Sequence, residues 1–141
     1  MRPYAFLLAL LAPLLLSAQN ADAILGEWLN ADEDAKVTIY RQGDRFYGKV
    51  SWLLNPNDDA GKPRVDEENP NADQRRRPIM GLVLLKDFRF EDGEWKGGSI
   101  YDPKNGKTYD CYMDLLEPGK LKIRGFVMGM RALGRTTYWT R

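Results

Sequence analysis

The chain has 141 residues, 21 Lys and Arg against 20 Asp and Glu, no histidine, and a single cysteine at position 111. That length supplies one domain, and near-neutral charge gives no net attraction to nucleic acid or to an anionic surface. Without histidine there is no Ser-His-Asp triad, Cys-His pair or His-ligated zinc, and one cysteine forms neither an intramolecular disulfide nor a Cys₄ site. No cofactor and no metal is expected.

In chain order, residues 1–18 read as a secretory signal peptide. Arg2 opens it, residues 5–16 form an apolar run, and the small residues Ser17 and Ala18 close it. Cleavage is expected after Ala18, with Ala23 as the alternative in Ala21-Asp22-Ala23. The run is shorter than the ~20 apolar residues that a bilayer requires, and Pro13 interrupts it, so no stable membrane insertion is expected. The expected location is the periplasm or the secreted fraction. Loss of Arg2 with the leader leaves 20 acidic and 20 basic residues in a single domain over 19–141.

That region alternates apolar and polar residues between turn signals. Val37 and Ile39 alternate with Lys36, Thr38 and Tyr40, and Phe46, Gly48, Val50 and Trp52 alternate with Tyr47, Lys49 and Ser51. Cys111, Met113 and Leu115 alternate with Asp110, Tyr112 and Asp114. Each run buries one face and wets the other, as an antiparallel sheet requires. Turns are signalled at Gly43-Asp44, Asp92-Gly93, Asp102-Pro103-Lys104-Asn105-Gly106 and Pro118-Gly119. Eight strands follow, at 24–30, 35–42, 45–54, 79–91, 94–101, 107–116, 120–130 and 134–140, the fourth bending near Lys86-Asp87. The predicted fold is all-β, with little helix beyond the leader. Eight sequential strands close most simply into an antiparallel up-and-down barrel, which leaves no free edge; a β-sandwich is the alternative. Residues 55–78 carry no hydrophobic pattern and form a long loop over one barrel end, unusual inside a compact domain.

Several blocks resemble one family: Gly26-Glu27-Trp28, Asn55-Pro56-Asn57-Asp58, Arg75-Arg76-Arg77-Pro78, Gly97-Gly98-Ser99-Ile100-Tyr101-Asp102-Pro103-Lys104-Asn105-Gly106-Lys107-Thr108-Tyr109, and Gly134-Arg135-Thr136-Thr137-Tyr138-Trp139-Thr140-Arg141. The chain resembles the bacterial domain-of-unknown-function family 2147 over its whole mature length. The resemblance implies a small exported protein with a lipocalin-like or streptavidin-like (calycin) barrel, and it implies no reaction. In such barrels a first-strand Trp plugs one end beneath a last-strand Arg. This gives Gly26 and Trp28, with Arg135 or Arg141, a role in barrel closure, the stacked pair stabilising by about 0.5–2 kcal/mol.

An eight-stranded barrel either holds one small ligand or is filled by side chains. Trp52, Trp95, Tyr101, Tyr109 and Trp139 fall on inward positions of the predicted register and are the candidate ligand contacts, joined by Arg77 from the basic run. Arg77 and Arg75 also have acids close by, Asp66, Glu67, Glu68 and Asp73, so the loop can pair its own charges. Asn55, Asn57, Asp59 and Asp66 mimic part of a calcium loop, but Ala60 stands where that loop needs glycine and no helices flank it. Cys111 points inward as a small hydrophobe. The leading expectation is non-enzymatic binding of a small apolar or aromatic-compatible ligand in the barrel mouth, with 55–78 as a lid. The alternatives are an envelope interaction or structural module using an outer patch of Phe126, Met128, Met130 and Tyr138, and a carboxylate hydrolase with two acids in one pocket. Oligomeric state is not encoded in these patterns.

Overall fold

A computed structural model describes residues 20–141; the expected leader lies outside the described residues. Eight strands form a closed antiparallel barrel in sequence order. They are β1 (Gly26–Leu29), β2 (Ala35–Gln42), β3 (Arg45–Leu53), β4 (Val83–Glu91), β5 (Glu94–Asp102), β6 (Lys107–Glu117), β7 (Lys120–Val127) and β8 (Met130–Thr140). Two short 3₁₀ segments accompany them, Ala21–Ile24 before β1 and Ala72–Gln74 in the long connection.

The inner positions follow the alternation. Val37 and Ile39 of β2, Phe46 and Val50 of β3, Cys111 and Met113 of β6, and Leu121 and Ile123 of β7 are all buried. Two glycines on inner positions make room for bulk: a Cβ on Gly98 would lie 2.5 Å from the Phe88 ring, and one on Gly48 would lie 2.8 Å from Leu85. The neighbouring strands therefore close over large side chains without strain.

Three local features depart from the simple alternation. A register shift between Lys36 and Val37 against β3 inserts Ser51 as an extra residue. Asp87 adopts φ 63° where β4 shifts against β3, which is the bend expected near Lys86-Asp87. The last hairpin turns at Met128-Gly129, both with positive φ. The sequence pattern predicts a seventh strand to 130 and an eighth from 134, whereas β7 ends at Val127 and β8 begins at Met130. The turn lies earlier because Gly129 is a turn glycine rather than a strand bend, and β8 is correspondingly longer.

The barrel has two unlike ends. At one, the segment Ala21–Ile24 folds across the opening. Trp28 donates its Nε1–H to the Ile24 carbonyl at 2.8 Å, and Trp95 donates to the Ala21 carbonyl at 3.0 Å. Arg141 lies 4.0 Å above the Trp28 ring and donates to the carbonyls of Ala23, Leu25 and Pro118. Phe46, Leu85, Phe88 and Met113 fill the space behind this floor. The other end is rimmed by the β1–β2 and β5–β6 turns, the β7–β8 hairpin and the connection 54–82.

Candidate functional site

The long connection is ordered by its own side chains. Antiparallel bridges pair Asn57 with Pro63 and Val65 with Pro78. At its centre Asp66 is 0% exposed. Its carboxylate accepts from the Tyr101 hydroxyl at 2.6 Å, Arg77 Nε at 2.8 Å and Asn69 Nδ2 at 2.9 Å. Burial alone would raise the Asp66 carboxyl; the donors Tyr101, Asn69 and Arg77 outweigh it and hold the group below its ordinary value. Burial and the adjacent Asp66 charge in turn push the Tyr101 hydroxyl up. Arg75 ties the same turn by donating to the Asn69 carbonyl. The β5–β6 turn packs directly beneath, where a side chain at Gly106 would run into the Glu68 carbonyl. Lys104 of that turn reaches Asp32 and Asp34 at 2.9 and 3.0 Å, linking it to the β1–β2 turn.

Behind this rim the upper half of the barrel is not filled. A cavity of about 1170 Å³ opens at the mouth. Val37, Val50, Leu53, Leu84, Ile100, Ile123 and Trp139 form its apolar wall; Tyr109, Thr137 and Arg135 add polar groups higher up. Gly125 belongs to the same wall: a Cβ there would make only ordinary contacts with Tyr109 and Ile100, at 3.6 and 3.7 Å. The position thus opens directly into the cavity.

The sequence-predicted residues fall into separate places. Trp139 and Tyr109 line the cavity, and the Tyr109 hydroxyl accepts from Asn105 at 3.1 Å. Tyr101 borders it but spends its hydroxyl on Asp66. Trp95 is at the floor, packed on Phe90 with ring centroids 4.7 Å apart. Trp52 is outside. The extra residue Ser51 reverses the alternation, so Trp52 sits beside Lys36, whose Nζ is 5.4 Å from the ring centroid. Leu53 takes the inner position instead. Arg77 is held by Asp66 and stacked over Tyr101 at 5.4 Å. It structures the loop rather than projecting into the cavity. Gly26 and Trp28 stand at the floor with Arg141, whose guanidinium is 3.7 Å from the Gly26 Cβ position. Arg135, in contrast, is on the wall of the mouth, five positions back along β8 from Thr140.

Met128, Met130 and Tyr138 are exposed, but the patch is not contiguous. Met130 and Tyr138 are eight residues apart along β8, roughly 26 Å, and Phe126 is half-buried against Tyr112. Among the described carboxyls, Asp114 is raised, by burial first and then by the nearby Glu94 charge. It belongs to the outer row of β6 and does not line the cavity. Asp66, the last position of the calcium-like spacing, is engaged by Arg77, and it is Asp58 rather than Asp59 that accepts backbone N–H groups, those of Ala60 and Lys62. Burial pushes the Cys111 thiol well up, which leaves it an inert core group.

The family model described as "Uncharacterized protein conserved in bacteria (DUF2147)" matches residues 26–141, from the first strand to the last residue. The chain belongs to the DUF2147 family. The matched range holds all eight strands and Arg141, so the DUF2147 domain is the barrel itself. No curated protein matches the chain. Among solved structures it is similar to protein HP1028 from the human pathogen Helicobacter pylori, described as belonging to the lipocalin family. The identity is 24%, the TM-score 0.72, and the match covers 84% of this chain and 82% of that one. At that identity the likeness shows a shared lipocalin-like barrel. Among the described residues no helix is long and apolar enough to cross a membrane.

Proposed function

We propose that this DUF2147 barrel is an exported binding protein that holds a small, largely apolar molecule in the upper half of the barrel, beneath the connection 54–82. The unfilled cavity of about 1170 Å³ carries the reading. Natural interiors pack to crystal-like density, and the floor of this barrel does so, with Trp28, Phe88, Trp95 and Met113 fully buried. The hollow is somewhat larger than the usual ligand pocket of about 300–1,000 Å³, with an apolar wall in its depth and charged groups at its rim, so it has room for such a molecule. The rigid rim supports it: Asp66 locks the connection to β5, and Lys104 joins two turns across the mouth.

The neutral fluorophore N-phenyl-1-naphthylamine tests the reading. Wild-type protein is expected to bind it saturably with a blue-shifted emission. Gly125→Leu, which places four carbons into the cavity, is expected to weaken binding at least about tenfold, since the lost space removes several buried methylenes' worth of contact. Its circular dichroism melt should stay near that of wild type. Absence of saturable binding to the wild type, or equal binding by a folded Gly125→Leu protein, overturns the proposal.

A further inference from the structure

Arg135 is the one strand arginine, among the described residues, without an internal partner. Arg41 pairs with Asp22, Arg45 with Asp44, Arg89 with Glu91 and Arg131 with Glu94, while Arg124 donates to Thr136 and to the Arg131 carbonyl. The Arg135 guanidinium has neither an ion pair nor a hydrogen bond among the described residues, although it borders the cavity. Its row explains its direction. Trp139 pairs with Leu121, Thr137 with Ile123 and Arg135 with Gly125, and Leu121, Ile123 and Gly125 all face inward. Descending β8 from the mouth, the inner wall therefore presents a guanidinium, then a hydroxyl, then an indole. Four residues of strand separate the first from the last, about 13 Å. Beside Arg135 on β7 stands Gly125, which brings no side chain of its own to the cavity wall.

The acids of the rim do not pair with Arg135. Asp32 and Asp34 are taken by Lys104. Asp58 accepts the Ala60 and Lys62 N–H groups, and Asp102 accepts the Lys104 N–H. Glu67 and Glu68 line the same mouth from the connection between β3 and β4, Glu68 seated on the β5–β6 turn at Gly106, and neither forms an ion pair with Arg135. An unpaired guanidinium at the lip of an apolar well is matched by a planar anion carrying an apolar body, because the fork of an arginine accepts a carboxylate through two parallel hydrogen bonds.

We propose that the ligand class of this cavity is an amphipathic monocarboxylate, with its head group on Arg135 and its apolar body lying down β8 against Ile123 and Trp139. The proposal rests on the binding function proposed above and adds the head-group chemistry. It is tested by displacing N-phenyl-1-naphthylamine with decanoate and, separately, with 1-decanol, which share a chain length and differ in charge. The affinity ratio of decanoate to decanol is expected to fall by about tenfold in Arg135→Gln. Arg135→Lys is expected to fall between, keeping the charge and losing the fork. If the fluorophore and both ten-carbon ligands fail to bind wild type, the cavity reading fails and this one with it. If the fluorophore binds but the ratio is the same in wild type and Arg135→Gln, the head-group assignment alone is overturned.

Discussion

Three arginines show how residue identity is overridden by position. Arg77, Arg135 and Arg141 carry the same group, yet one closes a loop, one faces an open cavity and one caps the floor. What differs is the acceptor set: Asp66 for Arg77, three backbone carbonyls for Arg141, and none for Arg135. The Asp66–Arg77 pair yields a pH prediction. The Asp66 carboxyl is held below its ordinary value in the folded chain, so the unfolded chain takes up that proton first as the pH falls. Its contribution is complete above about pH 4, the unfolded value, and is lost as the pH drops through the lower folded value. Asp66→Asn is expected to cost about 1–3 kcal/mol at pH 7, since a buried, charge-assisted cluster loses its acceptor charge. Between pH 4 and pH 2 the mutant's urea-unfolding stability should fall less steeply than that of wild type. Parallel curves would show that Asp66 is not the group that titrates.

At the scale of elements, hairpins and alternation made the barrel legible, and irregularities hid parts of the site. Strands β2, β3, β5 and β6 were readable within one residue because Gly-Asp, Asp-Gly and Pro-led turns bracket them. The bulge at Ser51 has no sequence marker, so Trp52 reads as inward although the extra residue puts it outside. Arg135 was within reach: it shares the parity of Trp139, and a consistent count along β8 places both on the inner wall. The role of Asp66 was not, because Glu67 and Glu68 beside it look the same until Tyr101 arrives from β5. The Met128-Gly129 turn was missed because methionine is a poor occupant of it. Two successive positive φ values, 55° and 65°, form a turn that prefers Asn-Gly. Met128 is 84% exposed, so it loses no packing on replacement. Met128→Asn is therefore expected to raise stability by about 0.5–1 kcal/mol, read as a higher urea midpoint at unchanged slope; a lower midpoint would mean that the methionine makes contacts that stabilise this hairpin.

For the molecule as a whole, the division into a packed floor and a hollow mouth makes the stretch before β1 part of the fold. Ile24 is 0% exposed, the Ala21 carbonyl accepts the buried Trp95 indole, and the Ala23 carbonyl accepts Arg141. Asp22 adds an ion pair to Arg41 at 2.8 Å. We propose on this ground that the exported chain is cut after Ala18, which keeps the whole segment. A cut after Ala23 would delete Ala21 and Asp22, strand a buried indole N–H and release one Arg141 contact. An unsatisfied buried donor costs about 1–3 kcal/mol, so a chain beginning at Ile24 is expected to be less stable than one beginning at Gln19 by about 2–4 kcal/mol. For a domain of this size that is a drop of roughly 8–16 °C in Tm. The intact mass of the exported protein should correspond to residues 19–141, and fluorophore affinity, a property of the other end, should be the same for both chains at a temperature where both are folded. A mature mass beginning at Ile24, or equal melting of the two chains, would show that the floor is complete without the segment.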